Sequence, residues 1–136
     1  MAKKTDAYLD TGALIAFLDR SDSHHARFVQ LFSAPPRLLT SDLVIAEGHG
    51  WFLKRYDGTR ALQFVQFIEA LPVLQIVPAD VKILKAAYAV LRKFSDQPLT
   101  LADAVGLTLM QHHRLHHCWS TDRHLTLMGA ALAIHV

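Results

Sequence analysis

The sequence predicts a single α/β domain that spans residues 1–136 and contains a short parallel β-sheet flanked by helices on both faces. Three observations support this fold class. The 136 residues fall within the usual size of one domain, and 51% of them are hydrophobic, enough for a sizeable core. Short apolar segments alternate with longer segments of helical periodicity, as in doubly wound parallel sheets. No internal repeat, linker or low-complexity segment indicates a second domain.

Five strands are predicted, because five short apolar segments are bounded by polar residues, proline or the start of a helix. The first segment stops at a carboxylate, and the third lies between Pro72 and Pro78. In chain order the predicted strands are AYLD (7–10), RLLT (37–40), VLQIV (73–77), HHCWS (116–120) and LAIHV (132–136).

The segments between these strands have the residue spacing of helices. Val81, Leu84 and Tyr88 fall on one helical face, and Ser41 and Asp42 are start signals for the helix after the second strand. The predicted helical segments are 11–19, 23–32, 42–56, 60–71, 81–94 and 99–113, with a short segment at 122–128 and a turn at 57–59.

Charge, cysteine content and hydropathy limit the classes of function. The formal net charge is +2 at pH 7 without a basic tail, so indiscriminate nucleic-acid binding is not indicated. The lone cysteine, Cys118, excludes an internal disulfide framework and a cysteine-rich zinc site. MAKKTDAYLD lacks the apolar stretch of a signal peptide, and no apolar run approaches the ~20 residues of a membrane span. We therefore expect a soluble, cytoplasmic protein with no membrane partner.

Three aspartates stand where the strands lead into helices. Asp10 ends the first strand, Asp122 follows the fourth, and Asp103 lies early in a segment, 99–111, with no other charged residue. Ligand sites of open parallel sheets lie beyond the carboxyl ends of the strands, so we expect these carboxylates to meet. Each aspartate alone is also explained as a helix cap, and Thr100-x-x-Asp103 fits a capping box.

Glu47 has no capping role. It interrupts the apolar run LVIA about two turns into a helix, on a face suited to packing against the sheet, where an unpaired carboxylate costs free energy. Either a lysine or arginine pairs with Glu47, or it joins the three aspartates. Four clustered carboxylates repel one another, and a cation must offset that repulsion. Oxygen ligands favour Mg²⁺ or Mn²⁺ over zinc, and such ions typically recruit phosphate-bearing substrates.

Four segments resemble the motifs of the PIN-domain family, particularly those of the single-domain VapC-type ribonuclease toxins. These segments are YLDTGALIAFLDRSDSHH (8–25), TSDLVIAEGHGWF (40–52), LTLADAVGLTLM (99–110) and STDRHL (120–125). The resemblance covers essentially the whole chain, and the acidic residues of the motifs fall on Asp10, Glu47, Asp103 and Asp122. Ser120 stands where the family commonly has threonine, and Gly48 and Gly50 weaken the helix after Glu47. Neither departure removes a carboxylate.

The resemblance implies a PIN-like fold and a Mg²⁺- or Mn²⁺-dependent endoribonuclease. It assigns metal binding to Asp10, Asp103 and Asp122, with Glu47 as a further ligand or as the group that orients the attacking water. Thr11, Ser120 and Asp96 are candidates for holding these acids in place. The resemblance also implies the toxin of a type II toxin–antitoxin pair, with an RNA substrate, a cognate antitoxin and a homodimeric state.

Other functions stay open at this point. The same fold could serve an RNA-processing nuclease outside toxin–antitoxin systems, or a non-catalytic module that binds RNA or a protein partner without cleaving. A phosphotransfer receiver domain also places acids at this edge of a sheet. It normally has an early pair of acids and a late lysine, however, and no lysine follows Lys93.

The remaining features have plainer structural explanations. The run HHRLHH (112–117), His49 and His124 could suggest a zinc or nickel site, but adjacent side chains diverge, so we expect a solvated cluster. Trp51 and Trp119 could stack bases, but their apolar surroundings predict core positions. Cations that could contact phosphates are Lys54, Arg55, Arg60, Arg92, Lys93, Arg114 and Arg123. Apolar helix residues predicted to form a surface for a second copy or an antitoxin are Phe28, Leu31, Phe64, Phe67 and Ile68.

Overall fold

The computed structural model describes residues 6–135, and its five strands form one parallel sheet. The strands are β1 (Ala7–Leu9), β2 (Leu38–Ser41), β3 (Leu74–Val77), β4 (His117–Trp119) and β5 (Ala131–Leu132). Their order across the sheet is β3-β2-β1-β4-β5, and each neighbouring pair runs parallel. The predicted fold class, an α/β domain built on a short parallel sheet, is confirmed.

Six α-helices connect the strands, and most of them begin at a side chain that caps the first turn. The hydroxyl of Ser41 accepts from the Val44 N–H, and the carboxylate of Asp57 accepts from the Arg60 N–H. Residues 57–59, predicted as a turn, are therefore the cap and first residues of a helix. The helices are α1 (Thr11–Leu18), α2 (His25–Phe32), α3 (Asp42–Arg55), α4 (Gly58–Glu69), α5 (Val81–Lys93) and α6 (Leu101–His112).

Helices cover both faces of the sheet. On one face, the ring of Tyr8 packs so closely on α6 that a Cβ at Gly106 would lie 3.0 Å from its Cε2 atom. On the other face, the ring of Trp119 is 6.4 Å from that of Phe28 in α2. Trp119 is the register partner of Leu9, and successive residues of a strand point to opposite faces. Hence α2 and α6 lie on opposite sides of β1.

The central strand β1 lies at the point where the chain changes direction across the sheet. Its neighbour β2 follows it through α1 and α2, whereas its other neighbour β4 arrives from the far end of the chain. Such a switch point opens a crevice beyond the carboxyl ends of the strands. Asp10 and Ser120, the residues that follow β1 and β4, are buried at this edge.

The predicted extent of the fifth strand is wrong. The fifth strand is limited to Ala131–Leu132, because the chain turns into a 3-10 helix, Ala133–His135, once the pairing with β4 ends. Val136, predicted to belong to that strand, and residues 1–5, in which no signal peptide is expected, lie outside the described residues. No helix in the described part of the chain is long and apolar enough to cross a membrane.

The apolar residues predicted to form a partner surface instead contribute to the core. Phe28, Phe64 and Ile68 are buried, because their helices turn these side chains toward the sheet or toward one another. Leu31 and Phe67 are half-buried and pack against the same core. Gly48 of α3 permits part of this packing, since a Cβ there would meet the Phe64 ring at 2.4 Å.

Candidate active site

A cleft of about 810 Å³ opens at the carboxyl edge of the sheet, and all four acidic residues predicted from the sequence line it. Asp10 enters from the end of β1, Glu47 from α3, Asp103 from the start of α6, and Asp122 from the loop after β4. These residues come from four segments that are distant in sequence. The parallel topology brings them together, because parallel strands end, and the segments that follow them begin, at the same edge of the sheet.

Asp10 occupies the N-cap position of α1, but its side chain makes no capping hydrogen bond. Its Oδ2 atom accepts instead from the Ser120 hydroxyl at 2.7 Å, which ties the ends of β1 and β4 together. The side chain is only 7% exposed. Burial, together with the negative charges of Asp103 and Glu47, raises the pKa of Asp10 to about 6 although the Ser120 hydroxyl lowers it. Capping therefore does not explain this carboxylate.

Asp103 and Asp122 are both helix caps and members of the cleft. Asp103 forms a full capping box with Thr100, accepting from the Thr100 N–H at 3.0 Å while its own N–H donates to the Thr100 hydroxyl. Asp122 caps a 3-10 helix, Arg123–Thr126, by accepting from the His124 N–H. Burial and the negative charge of Asp122 raise the pKa of Asp103 against the lowering effect of Thr100. Each of these two aspartates is therefore both a helix cap and a member of the acidic cluster.

Glu47 is exposed, so the prediction that it lies on an inward-packing face of its helix is wrong. The next residue, Gly48, takes the buried position against Phe64, and Glu47 is rotated toward the cleft. The Thr11 hydroxyl donates to Glu47 Oε1. Within the described part of the chain, no lysine or arginine forms an ion pair with Glu47. Glu47 is thus one of the four acidic residues that line the cleft.

One side of the cleft is cationic and aromatic. Trp51, Lys54 and Arg55, all from α3, line it together with the acids. Lys54 and Arg55 are exposed, whereas Trp51 is half-buried with its ring edge-on to Phe52. The expectation that Trp51 is a core residue is therefore wrong in part, while Trp119, only 4% exposed, does belong to the core. The helical spacing of residues 51, 54 and 55 could have indicated this shared face.

Other residues considered from the sequence have mixed positions. Thr11 and Ser120 contact Glu47 and Asp10 as described, but Asp96 is exposed and does not line the cleft. His112, His113 and His116 are exposed near the end of α6, as expected for a solvated cluster. His124 differs from them, since its Nδ1 atom lies 2.9 Å from Asp122 Oδ1. The sequence analysis grouped it with the surface histidines, although the Asp-x-His spacing across a helix start could have distinguished it.

The donor set suits a divalent cation. Ligand atoms of Asp103, Asp122 and His124 lie within 4.8 Å of one another, and Asp10 is close enough for its pKa to respond to Asp103. Burial and, to a smaller extent, neighbouring negative charge raise the pKa values of Asp10 and Asp103, and a bound cation would stabilise the ionised carboxylates. The side chains at this edge therefore fit a metal centre dominated by oxygen ligands.

Comparisons with known proteins agree with the fold. The family model described as "PIN domain" matches residues 7–130. No curated protein matches the chain by sequence. VapC20 of Mycobacterium tuberculosis, described as a sarcin-ricin loop cleaving toxin, superposes with a TM-score of 0.85 at 17% identity, over 92% of this chain and 96% of that one.

Two complexes have the same fold in one of their chains. A toxin–antitoxin complex from Klebsiella pneumoniae gives a TM-score of 0.62 at 23% identity, over 92% of this chain and 95% of that one. VapBC2 from Rickettsia felis, bound to a DNA fragment from its promoter, gives a TM-score of 0.67 at 11% identity, over 94% of this chain and 97% of that one. The family model covers nearly the whole chain, including all four acidic residues of the cleft. The chain therefore belongs to the PIN domain family.

Proposed function

We propose that the protein is a divalent-metal-dependent endoribonuclease in which Asp10, Glu47, Asp103 and Asp122 hold Mg²⁺ or Mn²⁺. The observation that carries this proposal is the meeting of these four acidic side chains, from four separate segments, in one cleft. Membership of the PIN domain family supports the same assignment. These oxygens would hold the cation, and the chemistry that it would supply is a lowered pKa of a bound water and compensation of negative charge on the phosphate.

Hydroxyl groups of the chain keep the acids in position for this role. Ser120 donates to the Asp10 carboxylate and also accepts from the Asp122 N–H, so one side chain holds that carboxylate and the backbone of Asp122. Thr11 does the same for Glu47 from the first position of α1. Because these contacts anchor the carboxylates to strand ends and helix starts, the acids need little reorganisation before catalysis.

The substrate class that we infer is suggested by the cationic and aromatic side chains that α3 contributes to the cleft. Lys54 and Arg55 can contact phosphate oxygens, and the half-buried ring of Trp51 offers a surface on which a base can stack. A polyanion must approach a site that is itself acidic, so these cations compensate for the repulsion. Single-stranded or looped RNA fits this combination of features.

The direct test is RNA cleavage by Asp10→Asn. Structured RNAs incubated with Mn²⁺ should be cut by the wild type, and chelator should stop the reaction. Asp10→Asn should reduce the rate about 100-fold or more, because a metal ligand contributes several kcal/mol to the transition state. Asp6→Asn is the matched control, since Asp6 precedes the same strand at its other end and pairs with Arg37. Full activity in Asp10→Asn contradicts the assignment.

The proposed phosphate contacts of Lys54 and Arg55 are tested with the inactive Asp10→Asn protein. Its affinity for RNA should fall as salt rises, and adding Lys54→Ala and Arg55→Ala should weaken binding and reduce the salt slope by roughly one to two. Lys82→Ala with Lys85→Ala is the control, because both lysines are exposed on α5 and do not line the cleft. A salt response that is flat, or that is equal for the two pairs of substitutions, would show that Lys54 and Arg55 do not contact the RNA phosphates.

The biological role we infer is that of a cytoplasmic toxin with a cognate antitoxin. The structural similarity to VapC20 and to toxin–antitoxin complexes supports this role. Expression of the wild type should arrest growth of a bacterial host, whereas Asp10→Asn should not. An RNA-processing nuclease would cleave without arresting growth, and a non-catalytic binding module would bind RNA without cleaving it under any metal.

The active form we infer is a homodimer. Apolar side chains remain on the surface, among them Leu62 and Val81, which are 61% and 69% exposed. Light scattering at micromolar concentration should give twice the mass of one chain. A monomer under these conditions contradicts the dimer and leaves the nuclease assignment untouched.

A further inference from the structure

His124 lies beside two of the acidic residues and presents a nitrogen atom to them. It is the second residue of the 3-10 helix Arg123–Thr126, two positions after Asp122. Its Nδ1 atom is 2.9 Å from Asp122 Oδ1, and ligand atoms of Asp103, Asp122 and His124 lie within 4.8 Å of one another. Across residues 6–135, this is the one group of three such side chains whose ligand atoms converge so closely.

We propose that His124 supplies a nitrogen ligand beside Asp103 and Asp122 and thereby selects Mn²⁺ over Mg²⁺ at this site. This inference rests on the proposed function, because it takes the acidic cleft to bind a divalent cation. It adds a residue and a metal preference that an all-carboxylate site does not imply.

The spacing of the two donor atoms matches that of neighbouring ligands on one cation. Adjacent ligands of a six-coordinate ion with bonds near 2.1 Å are separated by about 3 Å. The 2.9 Å between His124 Nδ1 and Asp122 Oδ1 agrees with that separation. A carboxylate oxygen only accepts hydrogen bonds, so the contact needs either a proton on the imidazole or a metal ion shared by both atoms.

The backbone holds the imidazole in this place. Asp122 Oδ1 also accepts from the His124 N–H at 2.9 Å, so the cap of the 3-10 helix fixes the residue that carries the ring. The next side chain, Leu125, is fully buried and anchors the same turn in the core. The ring itself is 31% exposed, which leaves room for a cation and its water ligands.

The metal preference follows from ligand chemistry. Mg²⁺ binds oxygen ligands and gains little from an imidazole, whereas imidazole nitrogen raises the affinity of the transition metals. Mn²⁺ combines a tolerance for carboxylate with this response to nitrogen. A site with two carboxylates and one imidazole should therefore distinguish the two ions more strongly than a site of carboxylates alone.

The experiment measures binding of each metal separately from cleavage. Isothermal titration with Mn²⁺ and with Mg²⁺ is carried out on the wild type, His124→Gln and the control His113→Gln, which alters an exposed histidine of the 112–117 run. His124→Gln should weaken Mn²⁺ binding about tenfold or more and Mg²⁺ binding much less, whereas His113→Gln should change neither. Thermal unfolding in chelator establishes that both variants are folded.

Pulsed electron paramagnetic resonance of the Mn²⁺-loaded wild type tests nitrogen coordination directly. Modulation from a directly bound imidazole nitrogen should be present in the wild type and in His113→Gln, and absent in His124→Gln. Because the wild-type spectrum is informative by itself, the test survives a variant that fails to fold.

Three outcomes overturn the proposal. Absence of nitrogen modulation in the wild type means that His124 is not a ligand. Modulation that persists in His124→Gln assigns the nitrogen to another histidine. An equal loss of affinity for the two metals means that His124 only orients Asp122. In each case metal-dependent RNA cleavage that is lost in Asp10→Asn leaves the proposed function standing, whereas a wild type that binds neither metal contradicts both.

Discussion

Asp10 and Asp19 stand at the two ends of α1, and both are more than nine-tenths buried, yet their pKa values shift in opposite directions. Burial and nearby acids raise the pKa of Asp10 to about 6. For Asp19, burial alone would raise the pKa, but hydrogen bonds from Ser21 and Tyr56 and the charge of Arg60 lower it. Both residues expose little surface, but the Asp10 carboxylate is enclosed far more deeply by protein than the Asp19 carboxylate, so depth of burial and neighbouring groups both contribute to the difference.

The surroundings of Asp19 are those of a structural carboxylate. Its Oδ1 atom accepts from the Ser21 N–H and hydroxyl and from the Tyr56 hydroxyl, at 2.8–3.0 Å. Arg60 lies over the Tyr56 ring at 4.4 Å and donates to the Leu18 carbonyl. Asp19 therefore joins the loop after α1 to the end of α3, and hydrogen bonds and the nearby Arg60 stabilise its negative charge.

The surroundings of Asp10 are those of a binding site. It has one hydroxyl donor, Ser120, and its nearest charges are negative. While it is ionised, a carboxylate in such a position destabilises the folded protein, and the cation of the proposed site would offset this effect. The two ends of one short helix thus illustrate how a fold can bury one charge for stability and another for function.

Asp19→Asn should produce the largest loss of stability among the changes considered for this comparison. The amide keeps one acceptor but loses the charge that the donors and Arg60 surround, so we expect a loss of about 2–3 kcal/mol in the free energy of unfolding at pH 7. Denaturant titration measures it, with Asp80→Asn as control because Asn caps α5 about as well as Asp. A change as small as that of the control means that Asp19 is not a structural anchor.

Tyr56→Phe should have a smaller effect of the same sign. It removes the hydroxyl that donates to Asp19 at 3.0 Å and keeps the ring under Arg60, so a loss of about 1 kcal/mol is expected. Tyr88→Phe is the matched control, since Tyr88 is 42% exposed on α5. If Tyr56→Phe and Tyr88→Phe are equally stable, the hydrogen bond from the Tyr56 hydroxyl to Asp19 contributes nothing to stability.

Much of the fold could be predicted from the sequence, because strands in a parallel sheet are short apolar runs and the intervening helices keep their periodicity. The exceptions have local causes. The last strand is predicted too long because LAIHV is apolar except for His135, whereas only Ala131–Leu132 pair with β4. The start of α4 was interpreted as a turn because Asp57 and Gly58 suit either structure.

The candidate site could be predicted less completely than the fold. The three aspartates follow from their positions at strand ends and helix starts, and the cleft brings them together. Glu47 was placed on the wrong face because one residue changes the direction of a helical side chain by about 100°, and Gly48 is the residue that packs inward. The Asp-x-His spacing alone indicates the position of His124 only weakly, and the folded chain shows its contact with Asp122.

We infer that the fold holds Asp10 at the expense of stability because the proposed metal site needs its carboxylate. Without metal, protons bind Asp10 more tightly in the folded state than in the unfolded state, whose pKa is near 4. The contribution of Asp10 to stability should therefore fall as pH rises from about 4 through about 6 and then level off. Asp19 has the opposite sign, because its contribution is present above the unfolded pKa and is lost as pH falls through the lowered folded value.

The most direct measurement compares the free energy of unfolding of the wild type and Asp10→Asn from pH 4 to pH 8, in chelator and in Mn²⁺. In chelator the two proteins should be about equally stable at pH 4, and the variant should become the more stable by up to about 3 kcal/mol at pH 7. Mn²⁺ should stabilise the wild type far more than the variant. A variant that is less stable than the wild type at pH 7 in chelator, or equal stabilisation of the two by Mn²⁺, would contradict the account.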